Sequence, residues 1–192
     1  MSTITISTFL IYFSIIVWLM PPFRQFRKSK FYFFLILALM DPIALLYFEI
    51  FKHTISFNYY LIGGYSSLVS ILWGKKSNEF KYSLIIAGLF FVIFLFAFNF
   101  SAKDHLLLAI LIQLIILFVF LKTFIVEYAS NSKFNFFYLA LVFYVLTIIS
   151  KFSIILIGLV DATAFYHFTT IAQILFGFYF SIYREDKTGN AV

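Results

Sequence analysis

The stretch FYFFLILALMDPIALLYFEIF, residues 31–51, carries two acidic side chains, Asp41 and Glu49, in a run that is otherwise apolar or aromatic. An α-helix rises about 1.5 Å per residue, so about 20 residues cross a hydrocarbon core about 30 Å thick. Residues 31–51 meet that length and read as a spanning helix. Lys30 and Lys52 flank the run, so a charge marks each end.

The same ruler picks out six further segments, at about 4–20, 56–73, 82–100, 106–128, 134–160 and 165–183. Their connections are too short to hold a soluble domain, so residues 1–192 read as one transmembrane domain. The expected fold is all-α, a polytopic integral membrane protein built as a seven-helix bundle. Composition agrees. At 64% hydrophobic, 11% charged and a mean hydropathy of +1.03, 192 residues carry more apolar surface than a soluble domain of that size buries. Pro21-Pro22 is expected to stop the first helix and Gly74-Lys75-Lys76 the third. The third contains Gly63, Gly64, Ser66, Ser67 and Ser70, which makes it the segment most open to a re-entrant or tilted arrangement. No basic residue precedes the first run and no small-residue cleavage site follows it, so it reads as a retained helix and not a signal peptide.

Orientation follows from the basic residues. Arg24, Arg27, Lys28, Lys30, Lys75, Lys76, Lys81, Lys122, Lys133, Arg184 and Lys187 fall on one side of the bundle. Of the 14 Lys and Arg, only Lys52 and Lys103 fall on the other side, and Lys151 lies inside a helix. This asymmetry places the N-terminus outside and the C-terminus in the cytoplasm. Trp18 and Trp73 then sit at cytoplasmic helix ends, where amphipathic rings favour the headgroup level. The net charge of +6 is thereby topological information and gives no reason to expect nucleic acid. Thirty Phe residues, together with the abundance of Ile, Lys, Asn and Tyr, fit AT-rich codon usage and a bacterial cytoplasmic membrane, that is, a multi-pass plasma-membrane location.

An ionisable residue inside a spanning segment is expensive, and three qualify: Asp41, Glu49 and Lys151. Asp41 lies near the middle of its helix, next to Pro42, which removes one backbone hydrogen bond and loosens the turn below it. Counting from the cytoplasmic side puts Glu49 and Lys151 both roughly 26 Å along their helices, so a neutralising Glu49–Lys151 pair is expected. His167, Gln113 and Gln173 fall in the same outer half, and together these six residues predict an outward-facing polar pocket. The competing account is structural: Glu49 and Lys151 snorkel to headgroups, and Gln, Ser and Gly serve helix packing.

Catalytic and cofactor chemistry finds little support. The chain has no cysteine, which removes disulfides, thiolate metal sites and cysteine nucleophiles. His53, His105 and His167, with Asp104, Asp161 or Glu49, have the composition of a zinc site but not its spacing, so no metal and no cofactor is expected. No Gly-rich phosphate loop is present. Gly64-Tyr65-Ser66-Ser67 with His167 is similar to the serine and histidine of rhomboid-type intramembrane proteases. It departs from them because Ser67 stands where a glycine is expected and no oxyanion motif accompanies it.

The function expected is therefore non-catalytic: a sensor-like or accessory subunit that binds an apolar or amphipathic ligand, or a membrane partner, through the polar pocket. The partners this implies are the lipid bilayer, a membrane protein or a second copy of the chain, and a lipid-like ligand. A proton- or cation-coupled transporter that uses Asp41, with Glu49 and Lys151 as an outer gate, is the alternative. An intramembrane hydrolase comes third.

Overall fold

In the computed structural model, which describes residues 2–73, 78–98, 100–132, 134–158 and 162–185, the chain is 86% helical and the described residues contain no strand. Lys75, Lys76, Lys133, Asp161, Lys187 and Val160 lie outside the described residues. The helices run in the order α1 (Ser2–Trp18), α2 (Met20–Arg24), α3 (Phe31–Phe51), α4 (Phe57–Leu72), α5 (Asn78–Ala97), α6 (Ala102–Asn131), α7 (Phe136–Ile157) and α8 (Ala162–Ile182). Four of these, α3, α5, α6 and α7, are long and apolar enough to cross a membrane.

Helix ends fall where local chemistry satisfies the orphan backbone groups. Ser56 and Asn135 accept the N–H of Asn58 and Phe137 at the starts of α4 and α7. At α6 the Ser101 hydroxyl accepts from the Asp104 N–H while the Asp104 carboxylate accepts from the Ser101 N–H. This capping box starts α6 a turn earlier than hydropathy alone suggests. Helices α3, α6 and α7 end on left-handed residues, Lys52, Ser132 and Gly158.

Two expectations about helix boundaries change. Pro21 and Pro22 do not terminate the first helix: α1 stops at Trp18, and the prolines occupy the first turn of α2. A first turn has N–H groups without intrahelical partners, so residues lacking that donor fit there at no cost. The segment at 56–73 is one continuous helix, α4, whose 16 residues rise about 24 Å. Its small residues serve close packing on three neighbours. A Cβ at Gly63 would lie 2.6 Å from Met40 of α3, and one at Gly64 would lie 3.5 Å from Ile112 of α6. On the third side the Tyr65 ring covers Gly88 of α5, and its hydroxyl donates to the Leu84 carbonyl at 2.9 Å.

The long helices pack in a ring: α1 on α3, α3 on α4, α4 on α6, α6 on α7, α7 on α8, and α8 back on α1. Helix α5 stands outside it, docked on α4. At one end, aromatic side chains plug the ring. Phe180 is fully buried and its ring lies 5.0 Å from Phe34, 5.5 Å from Phe137 and 6.4 Å from both Trp18 and Tyr144.

Below the plug, the α2–α3 connection is latched to the end of α8. The buried Gln25 amide donates to the carbonyls of Phe180 and Tyr183 and accepts from the Glu185 N–H. The Glu185 carboxylate in turn accepts from the hydroxyls of Ser29, at 2.6 Å, and Tyr138, at 2.7 Å. Arg24 and Arg184 close the latch by donating to the carbonyls of Ile182 and Phe26. Burial pushes the Lys30 ammonium below the ordinary lysine range, against the opposing pull of Glu185 and Glu127.

Candidate functional site: a cavity inside the helix ring

Above the aromatic plug the ring walls a partly open cavity of about 1090 Å³. All six ring helices contribute to its wall, and the α3–α4 connection (Thr54, Ile55, Ser56) borders it at the end away from the plug. The void exists because bulk is distributed unevenly along the helices. Phenylalanines at 33, 34, 120, 137 and 180 fill one end, whereas Ala44, Gly64 and Ala109 face the other. Most of the wall is apolar, through residues such as Leu37, Leu45, Leu61, Ile112 and Ile148. A mostly apolar pocket with a few convergent polar groups is the usual form of a small-molecule site.

Four of the six residues singled out from sequence share this cavity: Asp41 of α3, Gln113 of α6, Lys151 of α7 and Gln173 of α8. Asp41 is exposed by surface area although its helix is walled in by α1 and α4, because the surface it exposes is cavity wall. Helices α3 and α7 are not neighbours in the ring and meet only through side chains of the plug, where the Phe34 and Phe137 rings lie 6.2 Å apart. Among the described residues neither Asp41 nor Lys151 takes part in a salt bridge. The Lys151 ammonium lies 4.4 Å from the centre of the Tyr166 ring, a cation–π contact. Beside Asp41, the Tyr59 hydroxyl donates to the Met40 carbonyl at 3.0 Å, tying α4 to the stretch of α3 that Pro42 interrupts.

The other two residues fall elsewhere. Glu49 is on the outside of α3, where it pairs with Lys52 at 3.1 Å, so the expected Glu49–Lys151 pair does not form. Depth along two helices fixes height but not azimuth, and eight residues of helix rotate Glu49 about 80° away from Asp41. His167 is half-buried on α8 and does not line the cavity. Ser66 lies in an apolar groove between α4 and α5, and α4 makes no packing contact with α8. The serine and histidine of the hydrolase reading are thus held apart.

The cavity also recruits residues that sequence did not assign to the polar pocket. His105 lines it, with ring nitrogens 2.8 Å from the Ser101 carbonyl and 2.9 Å from the Asn58 amide oxygen. Tyr60, Tyr144 and Tyr166 place aromatic rings on the wall, and Trp18 joins them next to the plug. Ser67 is 1% exposed, lines the cavity, and its hydroxyl has no hydrogen-bond partner. In sequence Ser67 belongs to a run of small residues and Tyr144 to an apolar helix, and neither pattern tells a packing role from a wall position. Among the described residues no group of three His, Cys, Asp or Glu side chains is placed to hold a metal ion. The chain matches no protein-family model, and neither a curated protein nor a solved structure shows significant similarity to it.

Proposed function

We propose that the chain is a seven-span membrane protein of the bacterial cytoplasmic membrane, with its N-terminus outside, that binds an apolar or amphipathic ligand in the ring cavity and acts as a non-catalytic sensor-like or accessory subunit. The observation that carries this reading is the cavity itself: an apolar chamber lined by six helices, with Asp41, Lys151, Gln113 and Gln173 on its wall. Helices α1, α4 and α8 complete the ring with α3, α6 and α7, and α5 docks outside it, an arrangement of seven helices that supports seven spans. The plug lies on the side that charge asymmetry assigns to the cytoplasm, so the cavity belongs to the outer half.

Trp18 on the cavity wall supplies the test. In a Trp73→Phe variant, delipidated in a neutral detergent, adding a single-chain amphiphile is expected to shift Trp18 emission saturably. An unchanged spectrum across amphiphiles would remove the ligand-binding reading. Orientation is tested separately, because the chain has no native cysteine. Cysteines introduced at Lys28 and His53 should react with membrane-impermeant maleimide from opposite faces, His53 from outside.

Proton- or cation-coupled transport is the second reading, favoured by one observation: a carboxylate next to a proline-interrupted turn faces the cavity. It no longer includes a Glu49–Lys151 gate. Proton-driven uptake in vesicles, abolished by Asp41→Asn, would favour transport. Partner association that survives the same change would favour the accessory role.

A further inference from the structure

Among the described residues, Asp41 is the one carboxylate and Lys151 the one lysine on the cavity wall, and they stand on α3 and α7, which are not neighbours in the ring. Neither makes a salt bridge or hydrogen bond to a described residue, so each keeps an unmet demand for a counter-charge. Further polar groups on the wall have no hydrogen bond to a described residue, among them the side-chain amides of Gln113 and Gln173 and the buried Ser67 hydroxyl. His105 is already engaged by Ser101 and Asn58. Apolar walls surround all of these groups.

We infer that the ligand of this cavity is a zwitterionic amphiphile, its cationic group seated at Asp41, its anionic group at Lys151 and its apolar body against the leucine and isoleucine wall. This rests on the ligand-binding reading above and narrows it. In a medium of low dielectric an unpaired charge is costly, so a bound ligand is favoured when it brings a counter-charge to each side chain. A ligand with a single net charge satisfies one side chain and leaves an uncompensated charge in the chamber, while an uncharged ligand offers only dipoles to both. A molecule with one charge of each sign neutralises both walls and keeps the chamber neutral overall. Gln113, Gln173 and Ser67 then supply hydrogen bonds to the remaining head-group atoms. The apolar wall favours an amphiphile over a small water-soluble zwitterion.

The test ranks amphiphiles of one acyl-chain length by Trp18 fluorescence in the delipidated Trp73→Phe protein. The probes are lysophosphatidylethanolamine (zwitterionic), lysophosphatidylglycerol (anionic), a monoacylglycerol (uncharged), an alkyl amine (cationic), and chain-free glycerophosphoethanolamine. The zwitterionic lipid is expected to bind at least about tenfold more tightly than each of the others. Asp41→Asn should move the preference to the anionic lipid, because Lys151 is then the one uncompensated charge, and Lys151→Gln should move it to the cationic amine. Equal binding of all chain-bearing probes, or a wild-type preference for a charged one, overturns the zwitterion inference and leaves the amphiphile-binding reading standing. Binding of none overturns both. Glycerophosphoethanolamine that binds as tightly as its acylated form overturns the amphiphile part. The ranking on the parent protein decides the matter even where a charge variant fails to fold.

Discussion

Phe180→Ala is the most direct probe of the plug that floors the cavity. Phe180 is fully buried, and its ring meets Trp18, Phe34, Phe137, Tyr144 and Phe176. In a water-soluble core a Phe→Ala change costs about 3–5 kcal/mol. Part of that, about 1.5–3 kcal/mol, is the value of removing the side chain from water. A membrane helix separated from its neighbours meets lipid and not water, so this part drops out and lost packing remains. The expected loss is therefore about 2 kcal/mol. Reversible unfolding in mixed micelles, followed by Trp18 emission in the Trp73→Phe background, measures it. The void would open beneath Trp18 and Tyr144, which line the cavity, so amphiphiles with longer chains should gain affinity over shorter ones. A loss of about 5 kcal/mol or more would mean that the plug excludes water, contrary to the membrane reading. A loss below about 0.5 kcal/mol would mean that the rings are not packed as a unit.

Two further substitutions test the frame. Gln25→Ala leaves the carbonyls of Phe180 and Tyr183 and the N–H of Glu185 without their partner, so the end of α8 should loosen by about 2 kcal/mol; faster amide exchange at residues 182–185 would register it, and unchanged exchange would refute the latch. Gly177→Val places a Cβ 2.7 Å from a methyl of Val17, whose branched side chain has little freedom to move, so α1 should be pushed off α8 at a cost of about 1–3 kcal/mol, detected as raised protease sensitivity of α1; a variant as resistant as the parent would contradict the α1–α8 contact.

The helix inventory was legible because apolar runs of about 20 residues, separated by charged or polar breaks, mark long apolar helices. Residues 31–51 read from sequence are the observed α3, and α7 and α8 lie within a few residues of their expected bounds. Departures came from capping, a matter of individual side chains: Ser101 and Asp104 extend α6, and Pro21-Pro22 begin a helix where hydropathy suggests an end. Asp41 and Lys151 were visible as costly charges inside apolar runs.

Azimuth and neighbourhood were not visible. Only the packed structure decided that α3 faces α7 across a ring, that α5 stands outside it, and that Glu49 turns to Lys52. One-dimensional hydropathy fixes how far along a helix a residue lies, whereas the direction its side chain points depends on which helices adjoin. That choice is made by side-chain packing: Gly63 against Met40, Gly177 against Val17, Phe180 among its ring of aromatics. Those contacts join residues on different helices, far apart in sequence, and their fit is a property of volumes in three dimensions that no local pattern encodes.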